Sequence, residues 1–212
     1  MSFSRKFTNC LHLKTDIDIR VAQPKYGFIS ERKYILREVI RLKDMMIDFN
    51  QVEELVNMKS AFIPHSRVQI YFTESDSHFK PLSELIYKSK NGRVVSNIDL
   101  RFALFSQICI ESLKSLFWVP DVLVCNDWQT AFVPLLLKEK FQSDEFYQKI
   151  KTVFILHSLN DLRNINPSCY SSLGIELGTK AKSIDNIELA FKHSDLIVIT
   201  NKKLLSEVKR KA

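Results

Sequence analysis

The second half of the chain alternates short apolar runs with stretches in which apolar residues recur at helical spacing. The runs are continuous rather than alternating, which is typical of parallel strands buried on both faces. Strands are predicted at 122–125, 152–156 and 196–199. Helices are predicted at 97–116, with Asn97 as the N-cap, at 128–140, at 187–192 and from 202 onward. This order predicts an α/β fold with a doubly wound, mostly parallel, Rossmann-like sheet.

The first half has a less regular pattern. Residues 16–21 alternate polar and apolar positions as a strand does, and a turn follows at 24–27. The run 42–49 fits either a hairpin strand or the end of a helix, because a short apolar run does not settle the period. Residues 68–72 are a clearer strand, and residues 74–95 are expected to form a long exposed loop around a short helix. We expect residues 1–212 to form a single domain.

Polar residues follow each of the three strands predicted in the second half. In a doubly wound sheet, ligands bind beyond the carboxyl ends of the strands, where the loops collect. The sequence therefore predicts a ligand crevice at these positions. The three pairs are Asn126-Asp127, His157-Ser158 and Thr200-Asn201.

Each of these residues also has a structural interpretation. Asp127 could be only the N-cap of the helix that begins at Trp128, since its carboxylate would satisfy free backbone N–H groups there. A tryptophan in the position of Trp128 is more often a core-packing residue than a stacking platform. A single histidine after an apolar strand, as His157 is, is often a hydrogen-bonded structural residue. The pattern alone leaves these alternatives open.

Composition excludes several classes of protein. The four cysteines and five histidines show none of the usual zinc spacings, so we expect no metal. The longest apolar runs are far shorter than the roughly 20 residues of a membrane-spanning helix. The N-terminus lacks the apolar segment of a secretory signal, so a cytoplasmic location without a membrane partner is expected. The net charge of +7 lies mainly on predicted helix surfaces, and no nucleic-acid-binding motif accompanies it, so nucleic acid is not the expected partner.

Five stretches together resemble the bacterial glycogen synthases and plant starch synthases. PDVLVCNDWQTAFVPLLLK, from Pro120 to Lys138, is similar to the family segment in which a strand is followed by [HN]-D-W-[HQ]-[TA] and a helix. DIRVAQPKYG, NIDLRFALFSQ, KTVFILHSLNDL and CYSSLGIE resemble further family motifs in the family's order. The resemblance extends from about Phe7 to the C-terminus. It implies one half of a two-domain GT-B fold, each half being Rossmann-like.

The resemblance also implies a reaction and a site. Members of this family transfer glucose from ADP-glucose, or in some cases UDP-glucose, to an α-1,4-glucan with retention of configuration and without a metal. By resemblance, His157 would reach the 6-hydroxyl of the donor glucose, and Asp127 would line the same site. The donor is itself a substrate, so no cofactor is implied. The implied substrate-binding residues are Asn126, Trp128, Gln129 and Ser158.

The sequence departs from the family pattern in two respects. It contains neither the first strand with its K-x-G-G-L phosphate loop nor a C-terminal nucleotide-binding domain, so the first strand is expected to be missing. After His157 it reads S-L-N-D-L-R where the family reads N-L-A-Y-Q-G. Two hypotheses follow. The chain is a glucosyltransferase segment, inactive alone, that another polypeptide could complete, or it is a non-catalytic relic that binds glucan or protein.

Overall fold

The computed structural model describes residues 2–81, 86–178 and 181–211. The chain divides into two compact units. One comprises Met1–Ile47 and Glu54–Val95, and the other comprises Asp48–Glu53 and Ser96–Ala212. Both units combine helices with strands, so the predicted α/β class is confirmed. The assignment of the whole chain to one domain stays a prediction.

A five-stranded mixed sheet occupies the first half of the chain. The five strands are β1 (Arg20–Pro24), β2 (Arg37–Glu38), β3 (Met45–Phe49), β4 (Val52–Phe62) and β5 (Gln69–Glu74). The helices α1 (Ser2–Lys14) and α2 (Glu31–Tyr34) accompany them. The strand order is β1-β5-β4-β2, and β3 pairs with β4. β1 and β5 are parallel, whereas β4 is antiparallel to β5 and to β2. Tyr26, Ile29 and Phe72 form a buried cluster in this half.

The structure resolves the uncertain positions of the first half. The run 42–49 contributes to a hairpin, because Asn50 and Gln51 adopt φ angles of 55° and 61° between β3 and β4. Two consecutive positive φ angles give the turn a twist that matches paired strands. The strand predicted at 16–21 begins only at Arg20. Residues 82–85 lie outside the described residues, so part of the loop and short helix predicted at 74–95 does too.

The second half agrees closely with the predicted order of elements. A three-stranded parallel sheet has the order β10-β7-β6, and a small antiparallel pair is formed by β8 and β9. The predicted helix 128–140 is divided into a 3-10 turn, Trp128–Thr130, and a following α-helix. The elements are α3 (Ile98–Ser115), β6 (Val122–Asn126), α4 (Phe132–Glu139), β7 (Lys151–Leu156), β8 (Asn164–Ile165), α5 (Ser168–Ser171), β9 (Ile184–Asp185), α6 (Asn186–His193), β10 (Leu196–Ile199) and α7 (Lys202–Lys211).

The residue before α3 is Asn97, as predicted, but it does not cap the helix with its side chain. Asn97 occupies the N-cap position, but its φ of 55° is left-handed and its side chain makes no capping hydrogen bond. Asp99 instead accepts a hydrogen bond from the backbone N–H of Leu100 at 2.9 Å. The prediction of Asn97 as the N-cap is therefore confirmed in position, although its side chain does not make the capping hydrogen bond.

The parallel sheet of the second half is well covered on one face and only partly covered on the other, where Ile155 is 4% exposed but its neighbours are open to solvent. Alternate side chains of a strand point to opposite faces. On one face Cys125 and Phe154 are buried, and the Phe154 ring packs against Phe191 of α6 with centroids 5.9 Å apart. On the other face four apolar side chains are 37% to 55% exposed. They are Val122 and Val124 of β6, and Leu196 and Val198 of β10. We call these four residues the open face.

Candidate functional site

The polar residues at the carboxyl ends of β6 and β7 are joined by hydrogen bonds; Asn126 is the last residue of β6, and the others follow the strands. Oδ1 of Asp127 accepts hydrogen bonds from the backbone N–H groups of His157 at 2.6 Å and Ser158 at 3.2 Å. Nε2 of the His157 ring lies 3.1 Å from Oδ1 of Asn126. These contacts arise because β6 and β7 are parallel neighbours, so their carboxyl ends meet at one edge of the sheet. We call Asn126, Asp127, His157 and Ser158 the strand-end cluster.

Asp127 has an unusual backbone conformation. Its φ of 55° and ψ of −172° lie in a region that is populated almost only by glycine, and such strain costs roughly 1–3 kcal/mol. The backbone N–H of Asp127 donates to the carbonyl of Ile155 at 2.9 Å. The carboxylate makes no capping hydrogen bond to the 3-10 turn that begins at Trp128. The N-cap interpretation is therefore wrong, because this carboxylate binds the backbone after β7 instead.

Trp128 lies in the core. It is 1% exposed, and the edge of its ring packs against Phe102 of α3 with centroids 5.1 Å apart. A sugar outside the protein would therefore meet almost none of its surface, which fits the packing interpretation. Gln129, the next residue, is partly exposed. The roles of Trp128 and Gln129 in substrate binding stay predictions.

Buried hydrogen bonds that the sequence did not indicate support this turn. Nδ2 of Asn186 donates to the carbonyl of Trp128 at 3.2 Å, and the Tyr170 hydroxyl donates to Oδ1 of Asn186 at 3.1 Å. Both residues are at most 1% exposed. Burial raises the pKa of Tyr170, and the nearby Cys169, Asp185 and Asp99 raise it further, so the hydroxyl keeps its proton. No local pattern marked Asn186, because its partner Trp128 is 58 positions away.

Thr130 is a further residue that the sequence analysis missed. Its hydroxyl donates to the carbonyl of Asn126 at 3.0 Å and so closes the turn that carries Asp127. Its position four residues after Asn126, the last residue of β6, could have indicated this role, because Ser and Thr hydroxyls often donate hydrogen bonds to nearby backbone carbonyls.

The residues after β10 have structural contacts of their own. The Thr200 hydroxyl donates to the carbonyl of Leu156 at 3.2 Å. Oδ1 of Asn201 accepts from the backbone N–H of Leu204 at 2.9 Å, which caps α7. Both residues lie at the predicted edge of the sheet, but these bonds tie them to the backbone rather than to the strand-end cluster.

The loop that follows His157 is bonded internally. Nε of Arg163 donates to Oδ2 of Asp185 at 2.7 Å, and its Nη1 donates to the carbonyl of Asn160 at 2.9 Å. Oδ1 of Asn160 accepts from the backbone N–H of Leu162 at 3.0 Å. Asn160 and Arg163 are positions at which the sequence departs from the glycogen synthase pattern. The structure therefore commits these two side chains to holding the loop.

A second group of charged side chains lines a pocket in the first unit. Lys25 contacts Glu31 at 2.7 Å and Glu74 at 2.8 Å, while Lys59 contacts Glu31 at 2.6 Å and Glu74 at 3.5 Å. Two lysines and two glutamates thus form a ring of alternating charge. Because the ring is neutral and its members bind one another, it has the character of a structural network.

Within residues 2–81, 86–178 and 181–211, no group of three or more His, Cys, Asp or Glu side chains is arranged to hold a metal ion. In the same part of the chain, no helix is long and apolar enough to cross a membrane.

Comparison with known proteins gives consistent matches. The family model of the starch synthase catalytic domain matches residues 11–212. The glycogen synthase of Pelodictyon phaeoclathratiforme is 32% identical over 196 residues, which is 90% of this chain and 40% of that protein. The glycogen synthase of Chlorobium limicola is 29% identical over the same shares of both chains. The chain therefore spans about 40% of the length of these relatives.

A solved structure is similar in fold. The catalytic domain of starch synthase IV from Arabidopsis thaliana, bound to ADP and acarbose, matches with a TM-score of 0.71 and 18% identity. The match covers 89% of this chain and 38% of that one. Together with the family match over residues 11–212, these relationships show that the chain is a glycogen/starch synthase-like segment and belongs to the family of starch synthase catalytic domains.

Proposed function

We propose that this chain supplies the donor-sugar and glucan side of a glucosyltransferase. The reaction would move glucose from ADP-glucose to an α-1,4-glucan with retention, without a cofactor. The observation that carries this proposal is the strand-end cluster, in which Asp127 fixes the backbone of His157 and Asn126 contacts its ring. These residues occupy the motif positions that resemble the sugar site of the family.

The cluster would act by holding polar groups in place. The transition state of such a transfer has oxocarbenium character, and fixed dipoles stabilise developing charge without having to reorganise. His157 would meet the 6-hydroxyl of the donor glucose, with Ser158 beside it. Asp127 would line the same site while its Oδ1 holds the loop. Asn126 would orient the imidazole of His157 through the contact between its Oδ1 and Nε2 of the ring. Trp128 and Gln129 would fix the shape of the pocket.

The open face supports a further polypeptide as partner. Parallel strands normally bury both faces, yet Val124 and Leu196 are 40% and 55% exposed here. Both side chains flank Val153 of β7 in register, so they form one continuous apolar surface. We propose that this surface packs against polypeptide equivalent to the part of the glycogen synthase relatives that the matched region does not span. Activity would then require that polypeptide. A cytoplasmic location would suit a stored glucan.

A specific observation favours one alternative, a non-catalytic module that binds glucan or protein. Arg163 and Asn160 are bonded within the loop after His157, where the family pattern has other residues. A loop that is closed on itself in this way offers fewer side chains to a substrate. Under this alternative the crevice would bind glucan and leave the donor untouched.

The proposal is tested by measuring binding and transfer separately. Transfer of labelled glucose from ADP-glucose to glycogen is measured for the purified chain, alone and with the remaining part of the Pelodictyon glycogen synthase supplied as a second polypeptide. We expect transfer only in the second mixture, and its loss with His157→Ala. His65→Ala, which changes an exposed histidine in the other unit, is the matched control.

Saturation-transfer NMR with maltoheptaose and with ADP-glucose distinguishes the alternative. Binding of maltoheptaose without binding of ADP-glucose, and without transfer in either mixture, would indicate a glucan-binding relic. If a folded chain binds neither sugar and transfers nothing in either mixture, both functions are wrong. Circular dichroism of each variant verifies that it is folded.

A further inference from the structure

Arg101 has buried nitrogen atoms without hydrogen-bond partners. It lies in the first turn of α3, and both Nε and Nη1 of its guanidinium are shielded from solvent without an acceptor. Within the described part of the chain, no carboxylate forms an ion pair with it. Guanidinium groups remain protonated in proteins and carry five N–H donors, so they nearly always meet an acceptor when buried.

The carboxylate next to Arg101 along the helix is directed elsewhere. Asp99 stands two residues earlier, and its Oδ1 accepts from the backbone N–H of Leu100 at 2.9 Å. Burial is what lowers the pKa of Arg101, and no neighbouring negative charge offsets it. Arg163 provides the contrast, since its side chain is 11% exposed and reaches Asp185 at 2.7 Å. A largely shielded arginine with an ion-pair partner is therefore achievable in this fold, whereas two shielded nitrogens of Arg101 have no hydrogen-bond partner.

The helix that carries Arg101, α3, packs against the turn that follows the strand-end cluster. The next residue, Phe102, is 4% exposed, and its ring packs against the edge of Trp128 at 5.1 Å between centroids. Trp128 directly follows Asp127. The first turn of α3 thus lies against the turn that carries the cluster.

We propose that Arg101 binds an oxyanion that comes from outside the described residues. The planar guanidinium fork matches the geometry of phosphate and carboxylate oxygens, and charge-assisted hydrogen bonds of this kind are stronger than neutral ones. Two sources share this chemistry: a phosphate of the nucleotide-sugar donor, and a carboxylate of the polypeptide that packs on this unit. The assignment of these two sources rests on the proposed function, whereas the binding of an oxyanion does not.

The test observes Arg101 itself. The chain is labelled with 15N-arginine, and the Nε–Hε signal of Arg101, identified by its absence in Arg101→Met, is followed by NMR. Sodium pyrophosphate and sodium acetate are added in separate titrations at constant ionic strength, with chloride as the reference salt. We expect a saturable shift of this signal with one of the two oxyanions and none with chloride. Saturation by pyrophosphate assigns the phosphate source, and saturation by acetate assigns the carboxylate source.

Variants separate recognition from net charge. Arg101→Lys keeps the charge but removes the fork, so affinity measured by calorimetry should fall at least about tenfold. Arg32→Met removes an exposed arginine of α2 and should leave the affinity unchanged. The proposal is overturned if neither oxyanion shifts the Arg101 signal, or if Arg101→Met binds as tightly as the natural chain. Glucose transfer does not enter these measurements, so failure of the proposed function would be recognised separately.

Discussion

The carboxylate of Asp127 accepts a hydrogen bond of 2.6 Å from the backbone N–H of His157. It thereby connects the loops that follow two adjacent parallel strands. The same residue has a positive φ that favours glycine. Asp127 therefore needs its carboxylate for hydrogen bonding, yet its backbone has a conformation that a residue with a Cβ atom rarely adopts. Backbone strain of this kind is often found at functional sites.

This relationship predicts an order of stability among Asp127 variants. Asp127→Ala loses both hydrogen bonds from the backbone of His157 and Ser158, and bonds to a charged acceptor are worth about 1.5–3 kcal/mol. Asp127→Gly loses the same bonds but removes the backbone strain, so it should be more stable than the alanine variant by about 1 kcal/mol. Asp127→Asn keeps one acceptor oxygen and should lie closest to the natural chain. Urea denaturation measures the free energies of unfolding.

The control for this series is Asp121→Ala, which removes an exposed carboxylate just before β6. It should change the free energy of unfolding by no more than about 0.5 kcal/mol. If Asp127→Ala were as stable as this control, the carboxylate would not hold the loop after β7.

The buried chain from Tyr170 through Asn186 to Trp128 predicts coupled effects. Asn186→Ala leaves the Tyr170 hydroxyl without its acceptor, at about 1–3 kcal/mol, and removes the side-chain hydrogen bond to the Trp128 carbonyl, which still accepts from the backbone N–H of Ala131 at 3.3 Å. Tyr170→Phe removes the hydroxyl itself. The double variant should therefore lose less stability than the sum of the two single variants, by about 0.5–3 kcal/mol. Exactly additive losses in urea denaturation would contradict the bond between them.

The charged ring of the first unit predicts a pH dependence. Hydrogen bonds from Lys25 and then Lys59 lower the pKa of Glu31 from its ordinary 4.5 to about 2. A carboxylate whose pKa is lower in the folded state stabilises that state above its unfolded pKa. The contribution of Glu31 is therefore fully present above about pH 4.5 and is lost as the pH falls towards about 2. NMR of the Glu31 carboxyl carbon measures the midpoint directly.

Removing one lysine of the ring tests the cause of this shift. In Lys59→Met the midpoint of Glu31 should rise towards its ordinary value, because one of the two lysine hydrogen bonds is gone. Lys33→Met removes a nearby exposed charge that makes no bond to Glu31, and should move the midpoint much less. Equal shifts in the two variants would mean that general charge, rather than the ring, lowers this pKa.

The cysteines should differ in reactivity. Cys10 is exposed, whereas burial raises the pKa of Cys125 to about 12 and also raises that of Cys169. Because the thiolate is the reactive form, an aromatic disulfide reagent at mild pH should modify Cys10 rapidly. The two buried thiols should react only after the chain is unfolded in urea. Cys10→Ser should remove the rapid phase, and rapid labelling of Cys125 in the folded chain would contradict its burial.

The sequence was most informative where the structure depends on local periodicity. The apolar runs at 122–125, 152–156 and 196–199 became β6, β7 and β10, because a continuous run of branched apolar residues is itself the mark of a strand in a parallel sheet. The run at 42–49 could not be assigned in the same way. Its hairpin depends on the turn at Asn50 and Gln51 and on pairing with β4.

The sequence by itself determined the α/β order of elements and placed Asn126, Asp127 and His157 at the carboxyl ends of strands, although Asn126 proved to be the last residue of β6. Only the tertiary structure decided what they do to one another. The bond from His157 to Asp127 joins residues 30 positions apart, so it depends on how β6 and β7 align rather than on any local pattern. The same holds for the hydrogen bond from Asn186 to the Trp128 carbonyl. It also holds for Nε and Nη1 of Arg101, which become unusual only once packing has removed these two nitrogens from solvent. Periodicity fixes which face of an element is apolar, whereas hydrogen bonds between elements form only after the chain has packed.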